Sequence, residues 1–381
     1  MSNTNKINHD LDCDVVVIGA GVAGLGAGYF LSEQAKVIVL EQEDQPGYHS
    51  SGRSAALYIE GYENPVVAGL TAQSGDFFRT QHEGARPLLH DRGGLTIAVE
   101  GQERALSKYI SIWQPFCPNL RPLTATECRL ICPILDDKRL IGGAYDPDWK
   151  SIDTHELIQI YLRGLRNNQS TLQTGHVVAA LEQRGEGWEV QTSKKTFNAR
   201  WVVNAAGAWA NEVAQLAGLS PIDLTPMRRT AAMIEAPVEA SEWPVVHSIS
   251  GNLYFKPEGT SLMVSPQDET PSPPMDAFPE DLDIAIALDN FSKISDYPVN
   301  HVQHSWAGLR TFAPDRLPVV GPDSNSNGFF WLAGQGGYGV QTSPALGKLT
   351  ADSILNNKPI DQTIHRQRFK TNNREGCMVC R

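Results

Sequence analysis

Residues 13–42 read CDVVVIGAGVAGLGAGYFLSEQAKVIVLEQ, and this stretch decides the fold. Four β-branched residues at 15–18 predict a short strand that is buried on both faces of a parallel sheet. A helix is predicted from about Val22 to Ala35, and a second apolar strand follows over 36–40. Glu41 ends that strand. The order of these elements predicts a βαβ unit at the start of the chain.

The loop between the first strand and the helix carries G-x-G-x-x-G at Gly19, Gly21 and Gly24. In this motif the glycines allow a tight turn, close approach of a pyrophosphate, and packing of helix on strand. The N–H groups at the helix start hold the phosphates, and Glu41 can accept hydrogen bonds from ribose hydroxyls. The motif therefore predicts a dinucleotide site, and by itself it leaves NAD and FAD open.

Two later stretches predict further pieces of the nucleotide domain. Residues 176–193 alternate like a hairpin with Gly185 and Gly187 at the turn, and a buried strand is predicted over Trp201–Asn204. Near the end, residues 331–347 read WLAGQGGYGVQTSPALG. They predict a strand, a glycine-rich loop and a helix with Ser343 as its N-cap and Pro344 at its first position.

Composition excludes several classes of protein. The 381 residues carry a formal net charge of −11 without a basic stripe, so no nucleic-acid partner is expected. No stretch approaches the roughly 20 apolar residues of a membrane span. We expect a cytoplasmic protein, a monomer or small homo-oligomer, with loose association with a membrane surface left open. The scattered cysteines and histidines predict no metal site, and the C-x-x-C of Cys377 and Cys380 predicts a disordered end.

Five segments together carry a family resemblance: GAGVAG, GYHSSGRSAA, NAAGAW, WAGLRTFAPDRLPVVGP and QGGYGVQTSPA. Their combination resembles the D-amino-acid oxidase/glycine oxidase family of FAD-dependent amine oxidoreductases, and within it the bacterial D-arginine dehydrogenase branch. The resemblance implies an α/β fold. Its Rossmann-like FAD-binding domain is assembled from discontinuous segments, roughly 10–94, 151–224 and 301–360. A substrate domain with a mainly antiparallel sheet is inserted at 95–150 and 225–300, and the ends, 1–9 and 361–381, are expected to be flexible.

The resemblance implies FAD as the cofactor. Non-covalent binding is favoured, because residues 331–347 contain no cysteine for attachment. The expected FAD contacts are Gly19, Gly21, Ala23, Gly24, Glu41, Gln42, Ser50, Ser51, Arg53, Ser54, Ala55, Ala56, Val178, Ala206, Gly207, Trp209, Gly308, Arg310, Gly336, Gly337, Tyr338, Gly339, Val340, Gln341 and Thr342.

The implied reaction is oxidation of an amino acid by hydride transfer from Cα to the flavin, giving an imine that hydrolyses to a 2-oxo acid and ammonia. Oxygen or a quinone then accepts the electrons. Arg310 and Arg229 match the arginines that bind the substrate carboxylate, a task for which a bidentate guanidinium is suited. Tyr254 and Tyr62 match tyrosines of the active site, and Gly337 would offer its carbonyl to the amine. A surface ion pair for Arg310 and core roles for Arg229 and Tyr254 are the alternatives.

The chain departs from the D-arginine dehydrogenase pattern at two positions. Gly94 stands where that branch has an acid for the substrate guanidinium, and Leu57 replaces a lid histidine; Asp91, Glu60 or Glu63 could compensate. We therefore expect a D-amino acid with a neutral or apolar side chain and a roomier pocket at Gly93 and Gly94. A glycine/sarcosine-type or cyclic imino-acid oxidase and a non-catalytic flavoprotein subunit are the alternatives, the last disfavoured by the arginine pair.

Overall fold

The computed structural model describes residues 11–369, so the C-x-x-C motif of the tail lies outside the described residues. The strands of this part are, in chain order, β1 (Cys13–Ile18), β2 (Val37–Leu40), β3 (Leu57–Tyr58), β4 (Leu89–Asp91), β5 (Gly94–Val99), β6 (Arg121–Leu123), β7 (Leu140–Asp146), β8 (Lys150–Ile152), β9 (Thr171–Gln173), β10 (Val178–Arg184), β11 (Gly187–Thr192), β12 (Thr196–Asn204), β13 (Thr225–Glu235), β14 (Val245–Ser248), β15 (Tyr254–Glu258), β16 (Ser261–Ser265), β17 (Thr270–Pro271), β18 (Val302–Phe312), β19 (Val319–Pro322) and β20 (Phe329–Ala333).

The helices of the same part are α1 (Val22–Ser32), α2 (Pro65–Arg79), α3 (Glu103–Trp113), α4 (Ala125–Ile131), α5 (Thr154–Asn167), α6 (Ala210–Leu216), α7 (Asp281–Ser292) and α8 (Gly339–Asn356). Short 3-10 turns lie at Gly207–Trp209, Val238–Glu242 and Arg366–Phe369. The predicted βαβ unit, the hairpin β10–β11 and the strand within β12 are all present.

The first sheet positions the glycine motif. Its strands run in the order β10-β11-β12-β1-β2-β9, and β20 joins through β12. The pairs β1–β12, β1–β2, β2–β9 and β12–β20 are parallel. The loops after β1, β2, β12 and β20 therefore meet at one edge of the sheet, where open α/β sheets bind ligands.

The second sheet carries the predicted substrate residues. Its strands run β17-β13-β16-β15-β14-β5-β7-β6, and β18 pairs with β13 along most of its length. All its pairs are antiparallel except β14–β5, which fits the mainly antiparallel sheet that we expected. Strands β3, β8 and β4 form a small third sheet, in which β8 is the central strand.

Two features of the chain's later segments bear on the expected domain bounds. Strand β18, assigned by sequence to the FAD-binding segments, hydrogen-bonds to β13 of the second sheet. Of the end 361–381, which we expect to be flexible, the structure describes residues 361–369. There His365 forms a bridge with Val320, and Arg368 pairs with Asp315. Backbone pairing and an ion pair hold this segment against the body, which composition alone did not reveal.

The start of α8 also differs from the prediction. The helix begins at Gly339, so Ser343 and Pro344 lie inside it rather than at its N-cap and first position. Pro344 has no N–H to give to the Val340 carbonyl, and the Ser343 hydroxyl donates to that oxygen instead, at 3.0 Å. The Tyr161 hydroxyl lies 2.9 Å from the same Ser343 oxygen. Side-chain hydrogen bonds thus let the helix start directly at the glycine loop.

Helix α5 begins after a side-chain N-cap. The Asp153 carboxylate accepts the Glu156 N–H at 2.9 Å and caps the helix. The Glu156 side chain does not complete a capping box, because its carboxylate pairs with Arg163 and Arg86. No helix within residues 11–369 is long and apolar enough to cross a membrane.

Helices α1 and α8 cross at glycines, and this contact generates a stability prediction. A Cβ added to Gly347 would lie 2.6 Å from the Gly26 carbonyl carbon, which forces the two helices apart. We expect Gly347→Val to lower the free energy of unfolding by roughly 1–3 kcal/mol, the usual cost of overpacking.

The matched control is Gly69→Ala in α2, where an added Cβ meets nothing within 4 Å. It should raise stability by about 0.4–1 kcal/mol, because alanine restricts the unfolded chain. Urea unfolding of the purified proteins measures both changes. Equal midpoints for Gly347→Val and the parent protein would contradict the close-packing explanation.

Candidate active site

A cavity of about 250 Å³ lies along the carboxyl edge of the first sheet. It collects residues from the loops after β1, β2, β9, β12 and β20, as the parallel strand order requires. The expected FAD contacts that line it are Gly19, Gly21, Ala23, Glu41, Gln42, Ser50, Ser51, Val178, Ala206, Gly207, Trp209, Gly336 and Gly339. Segments far apart in sequence therefore converge on one cleft.

Backbone donors fix the Glu41 carboxylate in this cavity. One oxygen accepts the Ala20 N–H at 2.8 Å, and the other accepts the Glu43 N–H at 3.1 Å. The side chain is buried, yet each oxygen keeps a lone pair for a further donor. Glu41 is thus positioned to accept hydrogen bonds from ribose hydroxyls.

The glycine motif is shaped by close backbone contacts. Gly19 has φ of 102°, and a Cβ there would lie 2.5 Å from the Ala205 carbonyl oxygen. A Cβ on Gly24 would lie 1.9 Å from the Gly19 carbonyl oxygen, so Gly24 serves helix packing and does not line the cavity. The Ser51 hydroxyl accepts the Val22 N–H at 3.0 Å and so satisfies one donor at the start of α1.

A smaller cavity of about 70 Å³ continues from the first one. The two share lining residues, among them Ser50, Ser51 and Gly339. The expected FAD contacts that line it are Ser50, Ser51, Arg53, Ser54, Ala55, Gly308, Arg310, Gly336, Gly337, Gly339 and Val340. This zone leads from the nucleotide cleft to the second sheet.

Two buried amides test whether these residues fit FAD. The Nε2 atoms of Gln335 and Gln341 are buried and have no hydrogen-bond partner among the described residues. Gln335 lines the first cavity, and the Gln341 Oε1 is already used by the Ile59 N–H at 2.9 Å. Buried donors of this kind require an acceptor. Together with the glycine-lined cleft they fit a cofactor that carries phosphates and a polar ring.

A third cavity of about 230 Å³ adjoins the second sheet. It holds every residue that we assigned to the substrate: Arg310, Arg229, Tyr254, Tyr62 and Gly337. Ala56, Tyr338 and Gln341, expected to contact FAD, line this cavity as well, while Thr342 lines none of the three and donates to the Tyr338 carbonyl.

Strand register places the two arginines together. Arg229 of β13 lies opposite Gly308 of β18, and Met227 lies opposite Arg310. Residues directly opposite in an antiparallel pair share a face, as do alternate residues along a strand. Arg229 and Arg310 are therefore diagonal neighbours on one face. Arg228 points the other way and pairs with Glu280 and Asp283.

The two guanidinium groups lie in different surroundings. The Arg229 Nε donates to the Asp268 carbonyl at 2.8 Å, and its Nη2 pairs with Glu269 at 3.2 Å. Burial, with the charge of Arg310 second, lowers the pKa of Arg229 to about 10. Within residues 11–369 no hydrogen bond or ion pair occupies the Arg310 side chain. The pair thus presents positive charge to the cavity without a full set of protein anions.

Two further lining residues lie on neighbouring strands of the second sheet, on the same face as the arginines. His247 of β14 and Tyr254 of β15 are a directly opposed pair, and both line the cavity. Burial lowers the pKa of His247 to about 4, while a hydrogen bond with Gln267 acts in the opposite direction and the charge of Arg229 adds to the lowering. His247 is therefore a neutral side chain at neutral pH.

Sequence reasoning did not identify several lining residues. In the substrate cavity these include Tyr109, Trp113, Trp149, Val245 and His247. Val245 and His247 alternate along β14, so the period of a strand would have grouped them on one face. Tyr109 and Trp113 come from α3, and no local pattern in that segment marks them as part of a site.

The expected space at Gly93 and Gly94 is absent. A Cβ on Gly94 would lie 2.1 Å from Cδ2 of Trp149, and one on Gly93 would lie 2.7 Å from the Tyr145 hydroxyl. The two glycines accommodate aromatic rings, and Trp149 lines the cavity in their place. The prediction of a roomier pocket at this point is wrong, because the ring of Trp149, from the turn between β7 and β8, fills the volume at Gly94.

The acidic residues that could have compensated are already paired. Asp91 binds Lys150 at the surface, and Glu60 binds Arg79. Glu63 lines the cavity but pairs with Arg316. None of these carboxylates is left for a substrate guanidinium, and Leu57 adds an apolar wall. In the described part of the chain no cluster of His, Cys, Asp or Glu could hold a metal ion.

Arg53 is held by protein partners rather than left free for a phosphate. It pairs with Asp276 and donates to the carbonyls of Ala277 and Ala307, both at 3.0 Å. Its stem lines the smaller cavity. The residue thus joins the serine-rich loop to the second sheet beside the cleft.

Comparison with known proteins gives relatives of similar size and of larger size. Human mitochondrial dimethylglycine dehydrogenase is 25% identical over 375 residues, which cover 91% of this chain and 43% of that protein. The chain therefore spans less than half the length of this relative. Glycine oxidase of Geobacillus kaustophilus is 23% identical over 356 residues, covering 90% of this chain and 92% of the oxidase.

Solved structures confirm the predicted α/β fold class. L-Proline dehydrogenase from P. horikoshii superimposes with a TM-score of 0.82 at 23% identity, covering 92% of this chain and 95% of that one. These comparisons show the family and its FAD cofactor, not the narrower D-arginine dehydrogenase branch. Since the model of the family described as "FAD dependent oxidoreductase" (DAO) matches residues 14–353, the chain belongs to that family.

Proposed function

We propose that this protein oxidises the C–N bond of a small amino acid of the glycine, sarcosine or cyclic imino-acid type. The observation that carries the proposal is the diagonal pair Arg229 and Arg310 at the end of the FAD cleft. Two adjacent cations, one without a protein anion, suit a carboxylate-bearing substrate. The similarity to glycine oxidase and dimethylglycine dehydrogenase favours this class over the D-amino acids that we expected first.

The residues divide the task between binding and orientation. Bound FAD supplies the two-electron oxidant for the C–N bond. The guanidinium groups of Arg229 and Arg310 hold the carboxylate, and the Gly337 carbonyl accepts a hydrogen bond from the amine. The Tyr254 hydroxyl adds a donor to the carboxylate, and Tyr62 covers the substrate. Fixing the substrate in this way places its reacting carbon next to the cofactor. The reaction is then faster, because the two reacting groups are already held in the required geometry.

The apolar wall of the cavity fits a neutral group. Trp113, Trp149 and Val245 supply large apolar surfaces, and His247 remains uncharged at neutral pH. A cationic side chain would find no unpaired carboxylate there, and burying an unpaired charge is costly. The same wall accepts a methyl substituent on nitrogen or the ring of an imino acid.

The first prediction concerns the substrate. Under anaerobic conditions the flavin absorbance should bleach with glycine, sarcosine, N,N-dimethylglycine or proline at micromolar to millimolar concentrations, the usual range of KM. D-Arginine should bleach it far more slowly, since its guanidinium would be buried without a partner. Stopped-flow absorbance measures the rates, and readmission of oxygen or a quinone identifies the electron acceptor. Preferential bleaching by D-arginine would defeat the proposal.

The second prediction concerns Arg310. Replacing it with methionine removes one partner of the substrate carboxylate, a loss of about 2–5 kcal/mol for a desolvated charge pair. We expect kcat/KM to fall on the order of 100-fold or more, mostly through KM. Arg228→Met is the matched control, since Arg228 lies on the other face and pairs with Glu280 and Asp283.

Kinetics of both variants are normalised to flavin content. Arg228→Met should keep the parent KM even if its stability falls. The assignment of Arg310 would fail if the two variants changed KM equally, or if Arg310→Met left it unchanged.

The third prediction concerns pH. Burial and Arg310 lower the pKa of Arg229 to about 10, so this cation is charged below that pH and loses its proton above it. Carboxylate binding should therefore weaken as pH rises through about 10. Acetate is a suitable probe because it has no amine and stays ionised over this range. Its inhibition constant should be flat from pH 8 to 9 and rise above 10; a constant value to pH 11 contradicts the prediction.

A further inference from the structure

Arg229 presents only part of its guanidinium to the cavity. Its Nε donates to the Asp268 carbonyl, and its Nη2 lies 3.2 Å from a Glu269 carboxylate oxygen. Its Nη1 makes no hydrogen bond with the residues that the structure describes. The planar group is therefore held along one edge, which fixes the direction in which its remaining donors point.

Glu269 is itself held by a second arginine. Nη1 and Nη2 of Arg316 donate to its two oxygens at 3.0 and 3.1 Å, a bidentate arrangement. Burial acts to raise the pKa of Glu269, but the hydrogen bonds and charge of Arg316 outweigh it and hold that pKa below its ordinary value. Glu269 is thus an ionised carboxylate shared by Arg229 and Arg316.

Arg316 extends this contact to the segment of Tyr62 and Glu63, which lines the cavity. Its Nε donates to the carboxylate of Glu63, the residue after Tyr62. Its guanidinium lies 4.0 Å from the centre of the Phe312 ring, a cation–π contact. The order Arg229, Glu269, Arg316, Glu63 forms a continuous chain of alternating charges, which we call the charge chain.

Both ends of the Arg316–Glu63 contact sit in an uncommon backbone conformation. Glu63 has φ of 62° and Arg316 has φ of 60°, values that non-glycine residues adopt at a cost. Such conformations persist where the surroundings fix them, and they cluster at ligand-binding sites. The Tyr338 hydroxyl supports Arg316 by donating to its carbonyl at 2.7 Å.

We propose that Glu269 is a positioning residue that orients Arg229 toward the substrate carboxylate. Through Arg316 and Glu63, it also links this orientation to the position of Tyr62. The inference rests on the proposed function, because it assigns the carboxylate to Arg229. Without Glu269 the Arg229 side chain gains rotamers in the free protein, and binding must then order it again. Removal of the Glu63 carboxylate breaks the charge chain at its other end and weakens binding of the same substrate carboxylate.

The test uses Glu269→Gln, Glu63→Gln and the double variant of the flavin-loaded protein. We expect Glu269→Gln to raise both the substrate KM and the acetate inhibition constant about tenfold, with kcat changed less than about twofold. Glu63→Gln should raise them less. The two carboxylates are connected only through Arg316. The fold increase in KM of the double variant should therefore be smaller than the product of the increases in the two single variants.

Asp296→Asn is the control, because it breaks an ion pair with Arg139 on an exposed carboxylate outside the cavities. It should leave KM and the acetate constant unchanged. An unchanged KM in Glu269→Gln, a loss confined to kcat, or strictly multiplicative single effects would each overturn the role of Glu269.

Acetate binding separates this inference from the proposed function. Acetate titration, followed by the flavin absorbance, needs no turnover. If no amine substrate bleaches the parent protein, the proposed oxidation fails, while a tenfold weaker acetate affinity in Glu269→Gln still supports the positioning of Arg229. If amines are oxidised but acetate affinity is equal in the parent and the variant, the positioning role alone is wrong. If the parent binds no acetate, both carboxylate assignments are wrong.

Discussion

The register between β13 and β18 is the constraint on which the candidate site depends. It sets Arg229 opposite Gly308 and Arg310 two residues along, on the same face. A slip of one residue would turn a whole strand's side chains to the opposite face. Arg228 would then replace Arg229 beside the cofactor zone, and its partners Glu280 and Asp283 would lose their cation. The ion pairs of Arg228 on one face and the positions of Arg229 and Arg310 on the other thus specify a single register of β13 and β18.

The strand pair β13–β18 also lies between the nucleotide cleft of the first sheet and the substrate cavity of the second. Gly308 and Arg310 line the zone that continues from the nucleotide cleft, and Arg310 also lines the substrate cavity. The Ser50 hydroxyl donates to the Leu309 carbonyl, which ties the loop after β2 to the middle of β18. The cofactor edge of one sheet and the substrate face of the other are consequently fixed to each other by a few backbone and side-chain contacts. This explains how residues from segments far apart in the chain come together at the candidate site.

Sequence alone predicted the parts of the molecule that local physics determines. The run at 15–18, the glycines after it and Glu41 depend on neighbours within about thirty residues, and the structure has the strand, helix and acid where they were expected. The space at Gly94 could not be predicted in this way, because Trp149 from a distant segment fills it. The start of α8 was misplaced because the local rule for Ser343 competes with a hydrogen bond from Tyr161, on another helix. The charge chain was invisible for the same reason, since its members are separated by up to about 250 residues.

The early start of α8 has an electrostatic consequence. Helix dipoles place about half a positive charge at the N-terminus, and the effect falls off within the first turn. Because α8 begins at Gly339, its first turn, not a later one, borders the zone that leads to the substrate cavity. In the proposed oxidase, backbone N–H groups at this point would stabilise a bound flavin ring that gains negative charge, and so would raise its reduction potential. Part of the driving force for the proposed oxidation would then be encoded in the path of the main chain, where no side-chain substitution removes it.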